Sequence, residues 1–145
     1  MTYSIIVFIH VISAILSIGP FFVLLLMLKK MRNTQNHHAL EAYVATFSMA
    51  IRIVKHAGHV LVTSGFLAMW LGGWNLMTSW IVMTFAVMIS SIFFLASAFK
   101  PTIRTFNTPE FNQQLFINKL VKSVWIYILL LLIMLWFMVA KPTLW

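Results

Sequence analysis

Apolar residues run along the chain in four long stretches, separated by shorter polar or basic segments. The stretches cover about residues 3–28, 53–74, 80–99 and 123–140. Each is close to the roughly 20 residues that cross a hydrocarbon core at 1.5 Å per residue, so four membrane spans are expected. Two of the intervening segments have a helical period of their own. From His38 onward, Leu40, Tyr43 or Val44, Phe47, Ile51 and Val54 recur at helical spacing, which predicts an amphipathic overhang leading into the second span. A similar overhang is expected before the fourth span, with Thr108 as N-cap, Pro109 at the first helical position and Glu110 complementing the dipole. Gly72-Gly73-Trp74-Asn75 reads as a short turn between spans two and three. The expected fold is all-α: one integral membrane four-helix bundle over residues 1–145.

Composition agrees with the pattern. Hydrophobic residues make up 62% and charged residues 8% of the chain, against about 25% charged in soluble domains. A water-soluble fold of this size lacks the interior to hide that much apolar surface, so the expected partner is the lipid bilayer. There is no cysteine, which excludes disulfides, iron–sulfur clusters, thiolate zinc and cysteine nucleophiles. Glu41 and Glu110 are the only carboxylate side chains, leaving almost nothing for paired-carboxylate hydrolysis, calcium binding or an acidic proton relay.

The net charge of +8 would suggest nucleic acid in a soluble protein. Here the cations fall between apolar stretches, and no nucleic-acid partner is expected. Nine of the ten Lys and Arg residues flank the 29–55 and 100–122 connections, and Lys141 alone lies on the other side. The positive-inside rule places both connections in the cytoplasm and both termini outside, in a multi-pass protein of a bacterial-type plasma membrane. The first stretch lacks a basic n-region and is too long for a cleavable signal peptide. Trp70, Trp74, Trp80 and Trp145 fit an outer interfacial belt. Arg52-x-x-Lys55 and Lys119-x-x-Lys122 stand at matching places before spans two and four. They echo a parallel repeat of two hairpins, or simply mark two helices that enter from the cytoplasm.

Ionisable residues inside a membrane are costly and usually functional. His10 lies in span one, with Ser13, Ala14 and Ser17 at i+3, i+4 and i+7; Arg52, His56, His59 and Thr63 form a stripe on span two. One picture joins them. A b-type haem between spans one and two would take His10 and either His56 or His59 as axial ligands, with Arg52 and Lys55 pairing its propionates. The rise per residue leaves His10 and His59 offset by about 8–10 Å in depth, which tilt, a single ligand or two separate sites would accommodate. Plainer readings stand beside it. His56 and His59 snorkel towards the cytoplasmic interface, and His10 hydrogen-bonds a neighbouring helix. A copper or other metal site from His10, His56 and His59 is a further alternative. Gly58, Gly65 and Gly72 repeat every seven residues and suggest a packing groove, hence a homo-oligomer or a non-catalytic subunit of a larger complex. Trp125 and Tyr127 lie deeper than the belt, as core residues or as the lining of a quinone site. His37 and His38 fall in the cytoplasmic connection and look solvated.

Ile9-His10-Val11-Ile12-Ser13-Ala14-Ile15, then Gly19-Pro20-Phe21 and a basic helix end, resembles the first span of small membrane proteins grouped with the copper-resistance D family and the HemJ-type protoporphyrinogen oxidase. Met49-x-x-Arg52 leading to Thr63-x-Gly65-x-x-x-x-Trp70 resembles their second span. The likeness covers the first half of the chain. It implies a bundle of four or more helices and, in the HemJ branch, a b-type haem held by His10 and linked to electron transfer. Ser17 and Pro20-Phe21 depart from the HemJ pattern of a Trp before the glycine and Pro-Arg after it, so the uncharacterised branch fits better. The function expected is haem b binding in electron transfer, haem handling or quinone-linked redox chemistry.

Overall fold

The computed structural model describes residues Met1–Trp145 as four helices: α1 (Thr2–Asn33), α2 (His37–Leu71), α3 (Ser79–Arg104) and α4 (Gln113–Ala140). The fold is all-helical, and α1, α3 and α4 are each long and apolar enough to cross a membrane. The outward surface matches that reading. Phe8, Val23, Leu26, Phe93, Trp136 and Val139 are all at least 65% exposed, an apolar periphery that water would penalise and lipid tails accept. The 35-residue α2 is the longest helix, but Lys55, His56 and His59 dilute its apolar half.

All four helices extend beyond the apolar stretches that announce them. The segment before the second stretch belongs to α2, which begins at His37 behind the Asn36 cap; the Asn36 side chain accepts from the backbone N–H groups of His38 and Ala39. Leu40, Val44 and Phe47 are buried along its inner face, the spacing that keeps one stripe of a helix turned inward. The start expected for the fourth helix is corrected. Thr108 does not cap it: its hydroxyl donates to the Thr105 carbonyl, and Pro109 and Glu110 lie in a turn. Asn107, at φ 62°, redirects the chain. Phe111 packs edge-on against Phe106 and Phe116 with ring centroids 5.1 and 5.3 Å apart. The helix then starts behind Asn112, whose side chain accepts from Leu115 N.

The helices pack as two antiparallel hairpins, α1 on α2 and α3 on α4, joined along α1 and α4. Polar bonds tie one end of that join. Gln113 Nε2 donates to the carbonyls of Met31 at 2.8 Å and Thr34 at 3.0 Å, and Arg32 donates to Asn118 at 2.8 Å. At the opposite end, Ser79 Oγ donates to the Pro142 carbonyl and accepts from Leu144 N, while Trp145 Nε1 donates to Met77 O. The Lys141 ammonium lies 4.8 Å from the Trp74 ring and 5.5 Å from Trp80, a double cation–π contact.

The core centres on Phe99 of α3, which is fully buried and meets a ring from each other helix. Centroid distances are 5.9 Å to Phe21, 6.0 Å to Phe47 and 6.1 Å to Tyr127. Offset and edge-on pairs at such distances are favourable beyond their burial. Between α2 and α3 the main contacts are rings: Phe47 on Phe99 near one end and Phe66 on Phe85, at 6.1 Å, near the other. Their backbones do not otherwise pack closely, and a cleft opens between them.

Candidate functional site

His10 faces α2, two turns into α1. Its Nδ1 lies 2.9 Å from the Leu61 carbonyl and 3.2 Å from Ser64 Oγ. A carbonyl can only accept, so Nδ1 carries the proton and donates to Leu61. Ser64 in turn donates to the Val60 carbonyl at 2.6 Å, which leaves its oxygen free to accept. The imidazole sits on Gly65: a Cβ at that position would stand 2.8 Å from His10 Cε1 and 3.2 Å from Nδ1. Close contact between α1 and α2 therefore depends on a glycine opposite a histidine. The expectation that His10 hydrogen-bonds a neighbouring helix matches this arrangement.

The glycine repeat expected to form one groove for a partner is divided among three settings. Gly65 receives His10, and Gly72 caps α2 beneath the Trp74 ring. Gly58 has nothing within 4 Å of a built Cβ and lines the cleft. At Gly58 and Gly65 the glycine face is turned into the bundle.

The cleft between α2 and α3 has a volume of about 570 Å³. Leu61, Val62, Met88, Leu95 and Leu131 contribute to its apolar body. Arg52, Lys55 and His59 line it from α2, and Lys100 and Arg104 from α3, with no carboxylate among the lining residues. Ser17, Ser91 and Tyr127 supply hydroxyls at the α1, α3 and α4 walls. Ser17 is 2% exposed, and its Oγ is a buried polar atom without a hydrogen-bond partner. Ser13 and Ser48 instead donate to a carbonyl one turn back, to Ile9 O and Val44 O. An orphaned hydroxyl costs about 1–3 kcal/mol, so the cleft wall is incomplete as a purely structural surface.

The structure thus redistributes the residues singled out in the sequence. Arg52, Lys55 and His59 come together in one cavity, whereas His56 is exposed outside it and His10 lines a different one. The three histidines form no group able to hold a metal ion, so the three-nitrogen copper site is not assembled. Nor do they flank a slot between the first two helices, because α1 and α2 pack directly there. Trp125 is 56% exposed, while Tyr127 is buried against Phe21 at 4.7 Å and also lines the cleft. Lys119 and Lys122, the echo of Arg52 and Lys55, are exposed away from the cleft. His37 and His38 are exposed, with His37 stacked on Phe106 at 6.0 Å.

Lys100 and Arg104 are functional candidates that the sequence pattern did not single out. They carry a detectable signal. Lys100 and Arg52 lie about equally many residues from the α2–α3 turn, so two antiparallel neighbours bring them to one depth.

A second, smaller cavity of about 200 Å³ lies towards the end of the bundle that holds the α2–α3 turn. His10 and Gly65 form part of its wall, with Trp74, Trp80, Phe85 and Lys141. The chain matches no protein-family model, no curated protein and no solved structure, so these comparisons give no family evidence for a relation to the copper-resistance D or HemJ-type proteins.

Proposed function

We propose that this chain is a four-span protein of a bacterial plasma membrane that binds haem b in the cleft between α2 and α3. In this reading α2 completes the fourth crossing. The α1–α2 and α3–α4 connections face the cytoplasm, because nine of the ten Lys and Arg residues fall within the 29–55 and 100–122 segments that contain them, and both termini lie outside. Haem b is a flat apolar ring with two carboxylates and an iron that accepts imidazole. The observation that carries the reading is the shared lining: His59 lies in the same apolar cleft as Arg52, Lys55, Lys100 and Arg104. His59 would supply the imidazole to the haem iron, and the cations from the two helices would pair with the propionates. When bound, the haem would supply one-electron chemistry; the chain's own residues hold it and exclude water from its apolar face. His10, bonded to Leu61 and outside this cleft, is not assigned as a ligand here.

Oxidised and dithionite-reduced visible spectra of the purified protein test this. A Soret band with sharp reduced α and β bands is expected, lost in His59→Ala and retained in His10→Ala. A colourless protein that also fails to take up added hemin would overturn the reading. A second reading has the cleft take the headgroup of an anionic lipid, favoured by the exposure of Arg52, Lys55 and His59 on α2. Binding would then weaken in Arg52→Gln and be indifferent to His59→Ala.

A further inference from the structure

His10 also borders the smaller cavity, where its second ring nitrogen matters. Its hydrogen bonds run through Nδ1, to Leu61 O at 2.9 Å and Ser64 Oγ at 3.2 Å. The chain's two carboxylate side chains, Glu41 and Glu110, lie outside the apolar stretches and give the ring no counter-charge, and an apolar site disfavours a charged imidazole. With the proton on Nδ1, Nε2 presents a lone pair and acts only as an acceptor. An acceptor fixed in an apolar site selects its guest by polarity of contact: a carbonyl or carboxylate would face lone pair with lone pair, whereas an O–H or N–H donor pairs with it. Lys141 lines the same cavity, with its ammonium held over Trp74 and Trp80. That charge disfavours a cationic donor and, among neutral donors, favours a hydroxyl, whose oxygen can face the ammonium while its O–H donates to the ring. Tyr3, Phe66, Trp74, Trp80 and Phe85 bring five aromatic side chains to the wall, which suit a planar ring.

We propose that this outer cavity binds a hydroxylated aromatic ring, a hydroquinone or phenol, whose O–H donates to His10 Nε2. The inference is independent of the haem reading, because it rests on a different cavity and a different histidine.

Anaerobic calorimetry on the full chain in lipid nanodiscs tests it, with trimethylhydroquinone and its dimethyl ether as probes. The two share a ring and differ in the donor. The unsubstituted protein is expected to bind the hydroquinone about 2- to 10-fold more tightly, the ratio one neutral hydrogen bond supports. His10→Phe, which keeps a ring on Gly65 but removes the acceptor, is expected to abolish that preference. Equal affinity for the two probes in the unsubstituted protein, or a preference that survives in His10→Phe, would overturn the proposal. A decyl-tailed hydroquinone separates the two natural sources. With the O–H preference intact, tighter binding of the tailed form assigns a membrane quinol and equal binding a free phenol; both uphold the site.

If His10→Phe does not fold, nitrogen-15 NMR of labelled histidine in the unsubstituted protein decides the matter. The His10 Nε2 signal should be that of an unprotonated nitrogen and should move with the hydroquinone but not with the ether. A protonated Nε2, or a signal unmoved by the hydroquinone, would overturn the proposal.

Discussion

Placing an alanine at Gly65 tests the α1–α2 contact through a change of sign. In an isolated helix, Gly→Ala stabilises by about 1 kcal/mol. Here the new Cβ would stand 2.8 Å from His10 Cε1, closer than such atoms approach, so the imidazole must move. The ring is held by the 2.9 Å bond to Leu61 O, and displacing it strains or breaks that bond. Interhelical hydrogen bonds in membranes are worth about 0.6 kcal/mol on average and up to about 1.7. Loss of the bond and of ring packing together offsets the helix gain, so Gly65→Ala should be neutral or destabilising by up to about 1 kcal/mol. In a His10→Ala background the obstruction is gone, and the same substitution should stabilise by about 1 kcal/mol. The coupling between the two sites is therefore about 1–2 kcal/mol. Reversible unfolding of the four proteins in mixed detergent micelles, followed by circular dichroism, measures it. Equal stabilisation by Gly65→Ala with and without His10 would refute the close contact.

Three further outcomes follow from particular contacts. Ser17→Ala removes a buried hydroxyl without a partner and should raise the stability of the ligand-free protein by about 1 kcal/mol; a loss in the same detergent titration would show that Ser17 is bonded. Gln113→Ala deletes two bonds to the end of α1 and should cost about 1–2 kcal/mol, more than Asn118→Ala, whose single partner is Arg32 on an exposed surface. Phe99→Ala, at the ring junction of all four helices, should cost about 3–5 kcal/mol, whereas truncating the 72% exposed Phe93 should change stability little; thermal unfolding separates the two.

Helices were more legible in the sequence than the site they build. Unbroken apolar runs announced α1, α3 and α4, and Leu40, Val44 and Phe47 marked the early part of α2 by their spacing. The start of α4 was misread because Thr108-Pro109-Glu110 has the residue types of a helix start. The Asn107 turn and the rings of Phe106, Phe111 and Phe116 set the helix one turn later, through contacts that no local rule contains. His56 entered the candidate site because it shares a stripe with Arg52 and His59. The α2 residues that line the cleft are instead Ser48, Ile51, Arg52, Val54, Lys55, Gly58, His59, Leu61 and Val62; at about 100° per residue their centre lies near Val62, and His56 falls on the far side of Arg52. The partner of His10 was invisible for another reason. It is the main-chain carbonyl of Leu61, and any residue type supplies one.

The way the two hairpins join has a mechanical consequence. Because α1 and α4 form the principal seam while α2 and α3 meet mainly through rings, the bundle is built like a book, with the seam as its spine and the cleft between its covers. A bilayer presses inward on such a shape. In the proposed membrane setting, lateral pressure from the acyl chains would act to shut the covers, and the proposed haem in the cleft would hold them apart against it. Occupancy would then depend on membrane tension and lipid shape as well as on ligand concentration. Stretching the membrane, or enriching it in lipids that relieve pressure at the depth of the cleft, shifts the balance towards the open book.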